Sequence, residues 1–201
     1  MLKNQTQGIQ TQWSKFSPGA TIKRILSCRS RVLACEGSVG SGKSSAALLF
    51  IAAHCAEFPG AEWVVVRRTF GALRDNTMAS WTSWFPDGVA GKMDGENNFH
   101  LDAILDGKRA RGLIRFRPAE VSSDVAKFAG GEYAGAFLDE VTGTYREMGL
   151  PEDVYTTLLM RLRQPNIGRY HIILAFNPPP PGHWVSEEFR LPPTESPEKS
   201  H

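Results

Sequence analysis

At 201 residues the chain can bury one substantial core, and 41% hydrophobic with 22% charged residues is an ordinary globular composition. A net charge of +2 excludes nucleic-acid binding by bulk charge, so any such surface must come from local clustering. Three cysteines (Cys28, Cys35, Cys55) without C-x-x-C spacing speak for a reducing compartment and against a disulfide framework or zinc site, and the longest apolar stretch, Ala46 to Ala53, is too short to span a bilayer.

In chain order, residues 1–20 read as a polar arm with no apolar signal core, and 21–30 as a short helix. Arg31-Val32-Leu33-Ala34-Cys35 reads as a buried strand, and a glycine-rich loop follows it. Ser44 to Phe58 has helix formers and an apolar face, and Pro59-Gly60 stops it. Glu62 to Arg67 is a second buried strand, and Thr69 caps a helix from Phe70 to about Phe85. Phe99–Leu105 and Leu113–Phe116 form a hairpin turned at Asp106-Gly107-Lys108. A short helix or lid is expected over Val121–Phe128. Ala134–Leu138 is a third buried strand, Val154–Arg163 a helix and Tyr170–Phe176 a fourth strand. From Pro178 the chain is proline-rich and reads as a linker or disordered end. The alternation of strand and helix predicts an α/β fold with a mostly parallel sheet and helices on both faces. The folded domain is expected over 21–185, with a tail at 186–201.

The loop Gly37-Ser38-Val39-Gly40-Ser41-Gly42-Lys43-Ser44 has the G-x-x-x-x-G-K-S spacing of a phosphate cradle. Glycines let the backbone turn its N–H groups inward, and the following helix, starting through Ser45, adds its positive end. Lys43 is expected on the β- and γ-phosphates and Ser44 on Mg²⁺, making ATP and Mg²⁺ the expected ligands. Asp139-Glu140 ends the third apolar strand. There Asp139 would hold Mg²⁺ and Glu140 would polarise the attacking water, which favours hydrolysis over phosphoryl transfer. Asn177, at the tip of the fourth strand, is a candidate sensor of the γ-phosphate.

Among basic residues, Arg67 and Arg68 end the second strand, and one of Arg67, Arg68 or Lys127 is a candidate for transition-state charge stabilisation. Lys108, Arg109, Arg111, Arg115 and Arg117 crowd the hairpin and are the best candidates for DNA phosphates. Trp63, Trp81, Trp84 and Phe85 read as core.

In this order the motifs resemble the N-terminal ATPase domain of the phage terminase large subunit. The resemblance rests on Glu36–Ser44, Val64-Val65-Val66-Arg67-Arg68-Thr69-Phe70 with Leu73-Arg74-Asp75, and Phe116-Arg117-Pro118-Ala119. It continues through Asp124-Val125-Ala126-Lys127-Phe128, Phe137-Leu138-Asp139-Glu140, Arg161-Leu162-Arg163-Gln164-Pro165, Ala175-Phe176-Asn177-Pro178 and Gly182-His183-Trp184, so it spans 31 to about 185.

The resemblance implies a three-layer P-loop fold with an additional strand between those carrying the loop and the acidic pair, and an inserted hairpin. It implies that Glu140 is the catalytic carboxylate, that Asn177 couples hydrolysis to DNA movement, and that the domain drives double-stranded DNA into a procapsid. The implied partners are a portal protein, a small terminase subunit and further copies in a ring, in the host cytoplasm and without a membrane. Relatives often carry an arginine inside the loop and another where Lys127 stands. An adenine-reading glutamine does not align at Phe16-Ser17-Pro18-Gly19. The family's nuclease domain does not follow in this sequence, so nuclease activity is not expected of it. A helicase-like ATPase acting on nucleic acid, or a unit that binds ATP and turns over slowly alone, are the alternative readings.

Overall fold

The computed structural model describes residues 19–143 and 148–189. The expected arm and most of the expected tail lie outside the described residues. Seven strands form one sheet: β1 (Val32–Glu36), β2 (Ala61–Arg67), β3 (Gly91–Met93), β4 (Asn98–Leu105), β5 (Lys108–Pro118), β6 (Gly135–Asp139) and β7 (His171–Phe176). Their order across the sheet is β1-β7-β6-β2-β5-β4-β3. The five strands from β1 to β5 in that order run parallel, and β4 and β3 add antiparallel pairs. As expected, one strand, β7, separates β1 from β6.

Side chains alternate along each central strand and so divide between two cores. Trp63, Val65, Phe137, Ile173 and Ala175 point to one face, where α2 (Lys43–Glu57) packs. Val64, Val66, Leu138, Ile172 and Leu174 point to the other, beneath α5 (Glu152–Arg161). Layers on both faces explain why these strands are apolar at nearly every position. In β4 the pattern is one-sided: Phe99, Leu101, Ala103 and Leu105 are buried, while His100, Asp102 and Ile104 are exposed.

The remaining elements are α1 (Ala20–Leu26), α3 (Phe70–Ala72), a π-helical stretch Leu73–Met78, α4 (Ala79–Trp84), a 3₁₀ turn Ser122–Lys127 and α6 (Trp184–Phe189). Thr69 caps α3 by accepting from the Ala72 amide at 3.3 Å. Four expectations need correction. The helix over 70–85 is not uniform, because its middle widens into π geometry. The hairpin is longer than expected, since β5 starts at Lys108 and pairs through Pro118 with β2. β3 was not anticipated, being three residues with only one large apolar side chain. The expected tail is helical at 184–189, where Val185 is buried and Trp184 stacks on Tyr155 with ring centroids 5.4 Å apart. Proline richness at 178–181 reads as linker, but Trp184, Val185 and Phe189 supply an apolar face that the second core covers. No helix among the described residues is long and apolar enough to cross a membrane.

Candidate nucleotide site

Parallel pairing brings the carboxyl ends of β1, β7, β6 and β2 to one edge of the sheet, where open α/β sheets place their ligands. The residues that follow those ends are Gly37, Asn177, Glu140 and Arg68. The glycine loop begins at this edge, tied down by the Gly37 amide donating to the Phe176 carbonyl at 3.1 Å.

Gly40 (φ 77°) and Gly42 (φ 83°) take left-handed backbone that a side chain would strain. Gly42 is also the N-cap of α2, and no side chain caps it, so the helix amides face the loop. The Lys43 ammonium donates to the carbonyls of Gly37 at 2.7 Å and Ser38 at 2.8 Å, to Ser41 Oγ at 3.3 Å and to Asn177 Oδ1 at 3.5 Å. Ser45 lies in the first turn of α2, and Val39 projects from the loop at 79% exposure.

Asp139 is the buried centre of the site, at 1% exposure. Its Oδ1 accepts from the Ser44 hydroxyl at 2.7 Å. Its Oδ2 accepts from Thr77 Oγ1 at 2.6 Å and from Arg67 Nη1 at 3.1 Å. A carboxylate this deep is tolerable because it is paired and hydrogen-bonded at both oxygens. Glu140 follows with φ 55°, a left-handed conformation uncommon outside glycine and typical of functional sites. Its Oε2 accepts from Asn177 Nδ2 at 3.0 Å. Asn177 therefore turns its oxygen to the Lys43 cation and its NH₂ to the Glu140 anion. The flipped amide would oppose like charge on both sides, so the electrostatics select this orientation. The Asn177 carbonyl is held in turn by the Thr142 hydroxyl at 3.1 Å.

The structure thus gathers Lys43, Ser44, Asp139, Glu140, Asn177 and Arg67. It places two other basic candidates elsewhere. Arg68 donates to the Gly149 carbonyl at 2.5 Å, and Lys127 pairs with Asp124 at 2.9 Å and donates to the Pro118 carbonyl at 3.2 Å. In the hairpin, Arg109 is bound by Asp102 at 2.6 Å, Arg115 by Glu62 at 3.0 Å and Arg117 by Asn98 Oδ1 at 2.6 Å. Arg115 and Arg117 are thus tied to the fold, while Arg109, in an exposed ion pair, stays at the surface with Lys108 and Arg111. Trp63, Trp81 and Phe85 are fully buried and Trp84 partly so, in keeping with a core role.

Thr77 was not singled out by its residue type. The signal was its spacing: Leu73, Thr77 and Trp81 recur every four residues, so a polar residue sits on the buried face of the helical stretch.

The donor set fits magnesium bound together with phosphate. Ser44 and Asp139 supply hard oxygens side by side, and Mg²⁺ is held by one or two carboxylates plus phosphate oxygens rather than by a protein cage. Among the described residues no group of three or more His, Cys, Asp and Glu forms a separate metal cluster. Beside the loop, a cavity of about 420 Å³ opens between α1 and β1, lined by Ile22, Ile25, Cys28 and Leu33 together with Gly42 and Lys43.

No family model matches the sequence, and no curated protein matches it. Solved structures do resemble it. The large terminase of a thermophilic bacteriophage superposes with a TM-score of 0.67 at 18% identity over 86% of this chain. This chain spans 42% of that protein's length. The large terminase ATPase domain of Thermus phage P74-26 gives a TM-score of 0.55 at 19% identity, covering 89% of this chain and 71% of that one. The N-terminal domain of the DNA packaging ATPase of bacteriophage phi29 gives 0.51 at 21% identity, covering 77% and 76%. At these identities the likeness establishes architecture: the chain has the P-loop fold found in the ATPase domains of phage large terminases.

Proposed function

We propose that this chain is a Mg²⁺-dependent ATPase and the motor domain of a phage DNA-packaging enzyme. The observation that carries the hydrolytic reading is the Lys43–Asn177–Glu140 relay, which joins the phosphate loop to the carboxylate at the strand tip. Structures of the thermophilic phage's large terminase in complex with ADP and with ATP-γ-S support nucleotide as the ligand. The structure of the phi29 packaging motor assembly supports work within a multi-subunit complex.

In this reading the loop amides and Lys43 bind the β- and γ-phosphates, while the apolar cavity beside α1 receives the nucleoside. Ser44 and Asp139 hold Mg²⁺, which screens phosphate charge when bound. Glu140, oriented by Asn177, accepts a proton from the attacking water. Asn177 touches both the phosphate-binding lysine and the base, so loss of the γ-phosphate is transmitted through one amide to the strand tip and the proline segment after it. The partners that follow from this reading are double-stranded DNA, a portal protein, a small terminase subunit and further copies in a ring, in the host cytoplasm.

The experiment is Glu140→Gln, which keeps the shape and the Asn177 contact but removes the base. Hydrolysis should fall by about a hundredfold or more while ATP binding persists. Unchanged turnover in a folded variant would overturn the assignment.

A further inference from the structure

Thr77 is a threonine at 1% exposure in the π-helical stretch, on a face otherwise built of Leu73 and Trp81. A buried hydroxyl is costly unless bonded, and a mid-helix threonine ordinarily satisfies itself on the carbonyl four residues back. Thr77 instead donates to Asp139 Oδ2 at 2.6 Å, across 62 residues of sequence. The same oxygen accepts from Arg67 Nη1 at 3.1 Å. The other oxygen, Oδ1, accepts from the Ser44 hydroxyl. The two oxygens are therefore divided by role. Oδ2 is anchored to the fold from two sides, and Oδ1 is presented to the phosphate loop. π-Helical turns are rare and recur at functional sites, and this one carries the anchor.

We propose that Thr77 is a positioning residue for the cation-holding carboxylate. Its hydroxyl fixes the rotamer of Asp139 so that Oδ1, and not Oδ2, meets the metal beside Ser44. This rests on the proposed function, because it assigns the metal to Ser44 and Asp139. It does not depend on which step of the ATPase cycle is slow.

The test is metal binding rather than turnover. Mn²⁺ replaces Mg²⁺ as a paramagnetic probe and is titrated into the whole chain with ADP, with electron paramagnetic resonance reporting free Mn²⁺. Thr77→Val keeps the shape and removes the donor. Thr77→Ser keeps the donor. The valine variant should weaken Mn²⁺ by about tenfold or more, the scale of one hydrogen bond to a charged acceptor, while the serine variant stays within about threefold of wild type. Binding of a fluorescent ADP in EDTA should be equal in all three. If the valine variant does not fold, Thr77→Ala gives the same comparison. Equal Mn²⁺ affinity in folded valine and wild-type chains would overturn the proposal, as would a serine variant as weak as valine. Wild-type chain that binds no Mn²⁺ with ADP would sink the proposed metal site itself, and that result is distinguishable from both.

Discussion

Replacing Arg67 with methionine tests whether the site is held together by its buried ion pair. Arg67 Nη1 lies 3.1 Å from Asp139 Oδ2, and the two side chains are only 11% and 2% exposed. At an effective dielectric of about 20, unit charges at that distance attract by roughly 5 kcal/mol. Losses measured on breaking buried pairs run at about 3–5 kcal/mol, because the surviving charge stays buried without its partner. Here Ser44 and Thr77 still donate to Asp139, at 2.7 and 2.6 Å, which places the expected loss near the lower end, about 3 kcal/mol. For a chain of this size that corresponds to a fall in Tm of about 6–12 °C. Methionine keeps most of the aliphatic stem, so the change reports charge more than packing. Urea and thermal unfolding in EDTA give the value. A double-mutant cycle with Asp139→Asn isolates the cause: removing the orphaned charge should recover part of the loss, so that Arg67→Met with Asp139→Asn is more stable than Arg67→Met alone. Arg67→Met within about 1 kcal/mol of wild type, or no recovery in the double variant, would refute the reasoning.

Two further outcomes follow from the core. Gly135 sits opposite Trp63 in the β2–β6 register, and a Cβ there would run into the Trp63 ring, which is fully buried. Gly135→Ala should cost about 1–3 kcal/mol by overpacking, and a melt unchanged from wild type would show that the ring moves freely. The second concerns acid. Burial, with His171 nearby, lowers His54 to about 3, and Trp63 Nε1 donates to its Nδ1 at 3.2 Å, which fixes the neutral form. Burial also lowers His171. The unfolded chain takes up protons below about pH 6.5 that the fold refuses, so stability is level above that value and declines as pH falls toward 4.5. The loss for His54 alone is about 2 kcal/mol at pH 5, and His171 adds in the same direction. The carboxylates of Asp94, held low by the Asn98 amide, and Asp102, held low by Arg109, act only below the ordinary carboxylate range, so the windows separate. Thermal melts at pH 7.5, 6 and 5 check this. A Tm constant across them, or a decline untouched by His54→Gln, would contradict it.

Much of this protein is legible along the chain because the determinants are local. The phosphate loop is eight consecutive residues whose spacing already states its geometry. Asp139-Glu140 and Asn177 are each marked by an apolar run that stops at a polar residue. Continuous apolar stretches at β2, β6 and β7 predict strands covered on both faces, and the two cores bear this out. Local patterning also misled where it was weak. Proline-rich composition hid the short helix α6, and an even helical spacing over 70–85 gave no warning of the π turn.

Tertiary structure decided which polar groups meet. Arg67 and Asp139 are 72 residues apart, Thr77 and Asp139 62, Lys43 and Asn177 134. Those meetings depend on β7 lying between β1 and β6, and on β2 lying beside β6 in its particular register. Strand order and register arise from how whole faces pack, and no local propensity encodes them. The same packing sorted the basic residues: in Arg67 it found a partner for Asp139, and it tied Arg115 and Arg117 to Glu62 and Asn98. Residue spacing along the chain is enough to mark a phosphate loop and an acidic strand tip. Only the fold determined that Asn177 bridges them and that Thr77 and Arg67 hold the acid in place, because a side chain's partners are set by the layer it is folded against.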